Sequence, residues 1–120
     1  KDTIQAGLIS VQYSSMTQQI FDYVHKNLQD SNLSLKGIAE NHLFMNVDYV
    51  SKKFYRETGK KFSQYLTKMR IQRAKDLMKA NPSASMQTIA MQIGCGNNPK
   101  YFSQLFKKQE GITPTEYMGK

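Results

Sequence analysis

Residues 49–65, YVSKKFYRETGKKFSQY, and residues 101–117, YFSQLFKKQEGITPTEY, are two copies of one pattern. At an offset of 52 they share five identities in 17 positions: Tyr49/Tyr101, Ser51/Ser103, Phe54/Phe106, Gly59/Gly111 and Tyr65/Tyr117. Upstream, at an offset of 51, the matching pairs are Ser34/Ser85, Ile38/Ile89 and Ala39/Ala90. A short helix, a turn and a longer helix, occurring twice, explain both sets, because a turn absorbs the change of offset. We therefore predict two helix–turn–helix units; the less favoured alternative is a chance likeness between two helical hairpins.

The rest of the chain has helical periodicity, and no stretch shows the alternation typical of a strand. Residues that favour helix starts precede the periodic segments: Ser14 or Ser15, Ser34, Asn46, Ser63, Ser85 and Pro99. The sequence predicts an all-α fold of about seven helices. Its predicted parts are a linker from a missing N-terminal domain (1–13), a first helix–turn–helix subdomain (14–62), a long linker helix (63–81) and a second helix–turn–helix subdomain (82–120).

Composition narrows the class of protein. The chain has 120 residues, with 17 Lys and Arg against 9 Asp and Glu, a net charge of +8. A single cysteine, Cys95, excludes an internal disulfide, and no apolar run approaches the roughly 18 residues of a membrane span. We expect a basic cytoplasmic domain with a polyanionic partner. Because the chain begins with Lys1 and not with Met, we also expect it to be a piece of a longer protein.

A helix–turn–helix unit that binds DNA needs a second helix with one apolar face for the core and one polar face for the major groove. Two such helices are expected, at about 46–58 and 99–109. Their polar stripes match at the offset of 52 and are, in order, Asp48, Ser51, Lys52 and Tyr55, and Lys100, Ser103, Gln104 and Lys107. For any one stripe, a solvated surface is the better explanation. Two matching stripes on a chain of net charge +8 favour DNA.

Several motifs resemble those of AraC/XylS-type transcription regulators. The first unit supplies Ile38-Ala39, Tyr49-Val50-Ser51-Lys52-Lys53-Phe54, Glu57-Thr58-Gly59 and Phe62-Ser63-Gln64-Tyr65-Leu66. The segment Arg70-Ile71-Gln72-Arg73-Ala74 resembles the signature of that family's central helix, and 101–108 with 111–117 resemble its C-terminal signature. The resemblance covers about residues 15–118. It implies a bipartite, seven-helix DNA-binding domain, most like the output domain of a bacterial two-component response regulator.

The resemblance also assigns roles to individual residues. The expected contacts to base edges are Asn46, Asp48, Ser51, Lys52, Asn98, Lys100, Ser103 and Gln104. The expected contacts to phosphates are Lys53, Tyr55, Arg56, Lys60, Lys61, Lys107 and Lys108. Lys52 suits guanine and Gln104 suits adenine. Asp48 suits a cytosine amino group or a cap at the helix start, of which the cap is favoured.

Each turn is about one residue longer than the usual family pattern, at Leu43–Met45 and at Cys95-Gly96. The first turn has no glycine, so Asn41 or His42 is expected to take any left-handed position. Longer turns change the tilt of a recognition helix and therefore which of its residues face the bases.

Other functions find little support in the sequence. Cys95, His25 and His42 are too few and too far apart for a zinc site or a catalytic pair, and no phosphate-binding glycine loop occurs. We predict no enzymatic activity, no metal and no cofactor. The main alternative is a helical protein-interaction module with only non-specific DNA affinity. RNA polymerase is a further candidate partner; we expect the chain itself to be monomeric, and dimerisation of the full-length protein through an N-terminal domain stays open.

Overall fold

The computed structural model describes residues 12–119, and these form helices without any strand. The helices are α1 (Ser15–Lys26), α2 (Leu35–Ile38), α3 (Val47–Thr58), α4 (Phe62–Ala80), α5 (Met86–Gln92), α6 (Pro99–Glu110) and α7 (Pro114–Met118). Over residues 12–119 the predicted all-α fold of about seven helices is confirmed, and the two recognition helices lie within one residue of their predicted bounds. Most of the predicted linker, residues 1–11, lies outside the described residues.

Two separate hydrophobic cores divide the domain into two lobes. The first core joins α1, α2 and α3 to the start of α4, and its fully buried members include Ile20, Val24, Val50 and Phe54. The second joins the rest of α4 to α5, α6 and α7, around Phe102 and Phe106. The linker helix α4 serves both, because Leu66 belongs to the first core and Ile71, Ala74 and Met78 to the second.

The turn of the first unit contains a left-handed aromatic residue. Helix α2 runs on into a single π-helical turn, Ala39–Leu43, and Phe44 follows with a φ of 57°. The expectation that Asn41 or His42 would be left-handed is wrong, since both lie inside the π-helical turn. The left-handed conformation costs a residue with a side chain about 1–2 kcal/mol. The side chain of Phe44 is 82% exposed, so burial of its ring does not offset that cost.

The two turns explain why the repeat changes its offset. The first left-handed residue lies five residues after the matched alanine in the first unit, Ala39 to Phe44, and four residues after it in the second, Ala90 to Gly94. From there to the cap of the recognition helix takes two residues in the first unit and four in the second. One residue fewer and two more give the net change of one. The first turn is therefore one residue longer before its left-handed residue, and the second turn is two residues longer after it.

Serine side chains cap three of the helices as predicted. The hydroxyls of Ser14, Ser34 and Ser85 accept hydrogen bonds from backbone N–H groups three residues on, at 3.0 to 3.3 Å. The predicted cap at Ser63 is wrong, because α4 begins one residue earlier, at Phe62. There Gln64 Oε1 accepts a hydrogen bond from the backbone N–H of Lys61 at 3.2 Å. A side chain inside the first turn thus satisfies the free donor at this helix start.

Arg70 on the linker helix holds the two lobes together. Its Nη2 donates a hydrogen bond to the backbone carbonyl of Asp30 in the first lobe at 2.8 Å. Gly94, in the turn of the second lobe, packs on the same guanidinium: a Cβ at that position would lie 2.4 Å from the carbonyl oxygen of Leu28 and 2.7 Å from Arg70 Nη2. Burial in this junction lowers the pKa of Arg70. The second lobe is therefore seated on the end of the first.

Candidate nucleic-acid interface

Both recognition helices present the polar stripe that the sequence predicts. In α3, Asp48, Ser51, Lys52 and Tyr55 are exposed, while Val50 and Phe54 are fully buried behind them. In α6 the buried positions are Phe102 and Phe106, with Lys100, Gln104 and Lys107 exposed and Ser103 half-buried. The two helices thus offer the same arrangement of polar side chains to the outside, once from each lobe.

The two asparagines expected to contact bases also cap the recognition helices. Asn46 Oδ1 accepts a hydrogen bond from the backbone N–H of Tyr49 at 3.1 Å, and Asn98 Oδ1 accepts one from Tyr101 at 2.9 Å. The favoured role of Asp48 as the cap is wrong: Asp48 lies exposed in the first turn, where its negative charge suits the helix dipole. With their oxygens engaged, Asn46 and Asn98 keep their Nδ2 amino groups as donors.

A matched pair of tyrosines on the recognition helices was missing from the expected contacts. Tyr49 and Tyr101 are both 47% exposed and occupy the same position, three residues after the cap. The ammonium of Lys53 lies 5.8 Å from the centre of the Tyr49 ring. The repeat marks this pair in the sequence, because both copies keep a tyrosine there. The pair was missed because tyrosines at helical spacing are usually counted as apolar core residues.

Basic side chains surround both helices. The predicted phosphate-binding residues Tyr55, Arg56, Lys60, Lys61, Lys107 and Lys108 are exposed, and Lys53 is half-buried. A groove of about 510 Å³ brings Ser51 and Lys52 together with Tyr55 and Lys61. Expected base and phosphate contacts of the first unit therefore share one surface.

A second groove, of about 560 Å³, lies between the lobes and brings Lys60 of the first and Lys108 of the second to one place. It also contains Lys68 of the linker helix, which is not among the contacts expected from the sequence. The side chain of Lys68 lowers the pKa of Lys60, because as a hydrogen-bond donor it favours the neutral amine of Lys60 and because it repels the ammonium form.

The residues considered for catalysis or metal binding lie apart. Cys95 is only 6% exposed in the core of the second lobe, and burial raises the pKa of its thiol, which makes it a weaker nucleophile. His42 packs on Tyr23 in the first lobe, with 4.8 Å between ring centres. Over residues 12–119, no three His, Cys, Asp or Glu side chains gather in a way that could hold a metal ion. Over the same span, no helix has the length and apolar character needed to cross a membrane.

Two helix–turn–helix lobes with exposed polar recognition helices, on a chain of net charge +8, define a double helix–turn–helix DNA-binding domain of a transcription regulator. Residues 40–120 match the family described as a helix-turn-helix domain. The chain belongs to that family, in its AraC-type form, and the resemblance found in the sequence is confirmed.

Individual relatives agree with the family. An uncharacterized transcriptional regulatory protein, YesN of Bacillus subtilis (strain 168), is 46% identical over 107 residues, which cover 89% of this chain and 29% of YesN. The C-terminal domain of AraT, a response regulator from Geobacillus stearothermophilus, is 30% identical with a TM-score of 0.85, over 90% of this chain and 87% of that one. The DNA-binding domain of AdpA, solved in complex with a target DNA, shares the fold at 20% identity, with a TM-score of 0.78 over 88% and 92% of the two chains. The expected likeness to response-regulator output domains is confirmed.

Proposed function

We propose that this domain binds promoter DNA sequence-specifically, with α3 and α6 in successive major grooves of one duplex. The observation that carries the proposal is the matched pair of exposed polar stripes, one on each recognition helix, joined by a single linker helix. A protein-interaction module with non-specific DNA affinity would need a basic surface, but it would not need the same polar positions twice.

The dimensions of the domain suit two grooves on one face of the duplex. Helix α4 has 19 residues, a length of about 28 Å at 1.5 Å per residue. Successive major grooves are about 34 Å apart. The described residues extend over 40 × 40 × 22 Å, so the lobes supply the remaining distance. A single copy of the chain would then recognise an asymmetric site with two half-elements.

We propose that the first three residues of each stripe and the capping asparagines contact base edges, and that the fourth residues, Tyr55 and Lys107, contact phosphates. Lys52 and Gln104 occupy equivalent exposed positions and carry hydrogen-bond donors, which suit guanine and adenine respectively. Tyr49 and Tyr101 extend the proposed interface, because aromatic rings beside a basic helix suit sugars and thymine methyl groups. The lysines and arginine that flank each helix would contact phosphates, which fix the position of the domain without reading the sequence.

Selection from a random pool of duplexes, followed by a competition with scrambled duplex at about 150 mM salt, tests this function. A specific domain is expected to prefer the selected duplex by a factor of roughly 10³ or more. A preference near one would contradict sequence-specific binding and would favour the protein-interaction alternative.

Two substitutions on α6 separate base contacts from phosphate contacts. Gln104→Ala is expected to relax the preference at one base pair, with a loss of about 1–3 kcal/mol on the selected duplex. Lys107→Ala, three residues on, is expected to weaken selected and scrambled duplexes by similar factors. Affinity measured against duplexes with single base changes distinguishes the two effects. The reverse pattern would mean that Lys107 and not Gln104 faces the bases.

We also propose that the chain has no catalytic activity, needs no metal or cofactor, acts in the cytoplasm and is monomeric in solution. Support comes from the buried Cys95, from the distance between the candidate catalytic residues, and from relatives that are transcription regulators. The chain spans 29% of the length of YesN. Dimerisation and contact with RNA polymerase are therefore to be tested on the full-length protein.

A further inference from the structure

The groove between the lobes, which contains Lys60, Lys68 and Lys108, is lined by polar and basic residues with one apolar side chain, Leu105. Its volume is about 560 Å³, and between its lysines it is lined by Gln64, Thr67 and Gln109, among other residues. None of its lining residues is a carboxylate. Three ammonium groups and several hydrogen-bond donors therefore face one space, with no acid among them.

Among the described residues, the three lysines of the groove have no acidic partner, in contrast to Lys75 and Lys26. Lys75, also on α4, forms a salt bridge with Glu110, with 3.0 Å between Nζ and Oε1. Lys26 forms one with Asp22, with 3.1 Å between Nζ and Oδ2. In the described part of the chain, no salt bridge joins a carboxylate to Lys60, Lys68 or Lys108. The repulsion between Lys60 and Lys68 lowers the pKa of Lys60, as noted above. An anion in the groove would relieve that repulsion.

The groove continues the surface proposed to bind DNA. Lys108 lies four residues after Gln104 on α6, which places the two side chains on the same face of the helix, one turn apart. On the other side, Lys60 directly follows Gly59, the residue that ends α3. The floor is the first half of the linker helix, including Lys68. The groove therefore lies between the end of α3 and the second half of α6, with the linker helix beneath it.

We infer that this groove binds phosphates of the DNA segment that lies between the two half-elements, with Lys68 of the linker helix as its central cation. The inference rests on the function proposed above. It assigns the linker helix a direct contact with DNA, in addition to its part in both cores. Phosphates of a free polyphosphate have the same chemistry, and the experiment has to separate the two sources.

Lys68→Gln is the test variant and Lys79→Gln its matched control. Both lysines are exposed on α4, and Lys79 lies in the last turn, outside the groove. On the selected two-element duplex, Lys68→Gln is expected to reduce the slope of log K against log salt concentration by about 0.9 and the affinity at 150 mM salt by about fivefold. On a duplex that keeps only the second half-element, it is expected to change affinity less than about twofold. Lys79→Gln should match the wild type on both duplexes.

Equal behaviour of Lys68→Gln and Lys79→Gln on the two-element duplex would overturn the inference, and so would an equal loss for Lys68→Gln on both duplexes. Inorganic triphosphate, titrated calorimetrically into the DNA-free chain, tests the other source. Saturation below about 1 mM that Lys68→Gln abolishes, with DNA affinity unchanged, would assign the groove to a free polyphosphate and overturn the DNA contact. Failure of the proposed function itself looks different, because the wild type would then not prefer the selected duplex.

Discussion

Inserting five base pairs between the two half-elements of the selected site is expected to lower the affinity of the domain by roughly 100-fold or more. Five base pairs are half a turn of B-DNA, so the second half-element moves to the opposite face of the duplex. The lobes cannot follow, because α4 is one continuous helix that supplies residues to both cores, and Arg70 fixes the first lobe to it. Only one recognition helix then reaches its half-element.

An insertion of ten base pairs is the informative control. It restores the face of the duplex but separates the half-elements by about another 34 Å. A flexible connection between the lobes would bridge that distance and recover much of the affinity, whereas the rigid helix predicts no recovery. Fluorescence anisotropy at one salt concentration measures the affinity for the selected duplex and for the duplexes with five and ten inserted base pairs. A duplex with a single half-element gives the lower limit of affinity. Unchanged affinity after the five-base-pair insertion would contradict the placement of both helices on one face.

Gly94→Ala is expected to lower the free energy of unfolding by about 3 kcal/mol. The left-handed conformation of Gly94, with a φ of 88°, costs an alanine about 1–2 kcal/mol. The new Cβ would also lie 2.4 Å from the backbone carbonyl oxygen of Leu28. A backbone atom in a packed junction moves away only with its neighbours, and such overpacking adds about 1–3 kcal/mol. Denaturant unfolding followed by circular dichroism measures the loss.

Gly96→Ala separates the two causes. Gly96 is also left-handed, with a φ of 64°, but a Cβ there would meet nothing within 4 Å. Only the conformational cost remains, so a loss of about 1 kcal/mol is expected. Similar losses for the two variants would mean that Leu28 and Arg70 move away from the new Cβ at residue 94 at no measurable cost in free energy. The lobes would then be less firmly seated than the contacts indicate.

The internal repeat predicted most of the architecture correctly, because identities at a fixed offset report packing that is used twice. Phe54 and Phe106 are matched in the sequence and fill equivalent places in the two cores. Local signals were enough where a side chain caps its own helix, as at Ser34 and Ser85. They failed at Ser63, where Gln64 satisfies the helix start from inside the first turn.

The first turn could not be predicted from residue preferences. Asn41 and His42 tolerate a left-handed conformation better than Phe44 does, yet Phe44 adopts it, because the π-helical turn shifts the end of the helix along the chain. The groove at Lys68 could not be predicted from the sequence for a different reason. Its three lysines come from the first lobe, the linker helix and the second lobe, and only the folded arrangement of the lobes brings them together.

Because α4 supplies residues to both cores, it also limits how such regulators can recombine their lobes. The apolar face formed by Ile71, Ala74 and Met78 belongs to the second core, although it lies on the same helix as Leu66 of the first. Recombination within this helix would join a face shaped for one partner to a lobe shaped for another. New binding specificities are therefore expected to arise by changes on α3 and α6, while the pair of lobes is inherited as one piece.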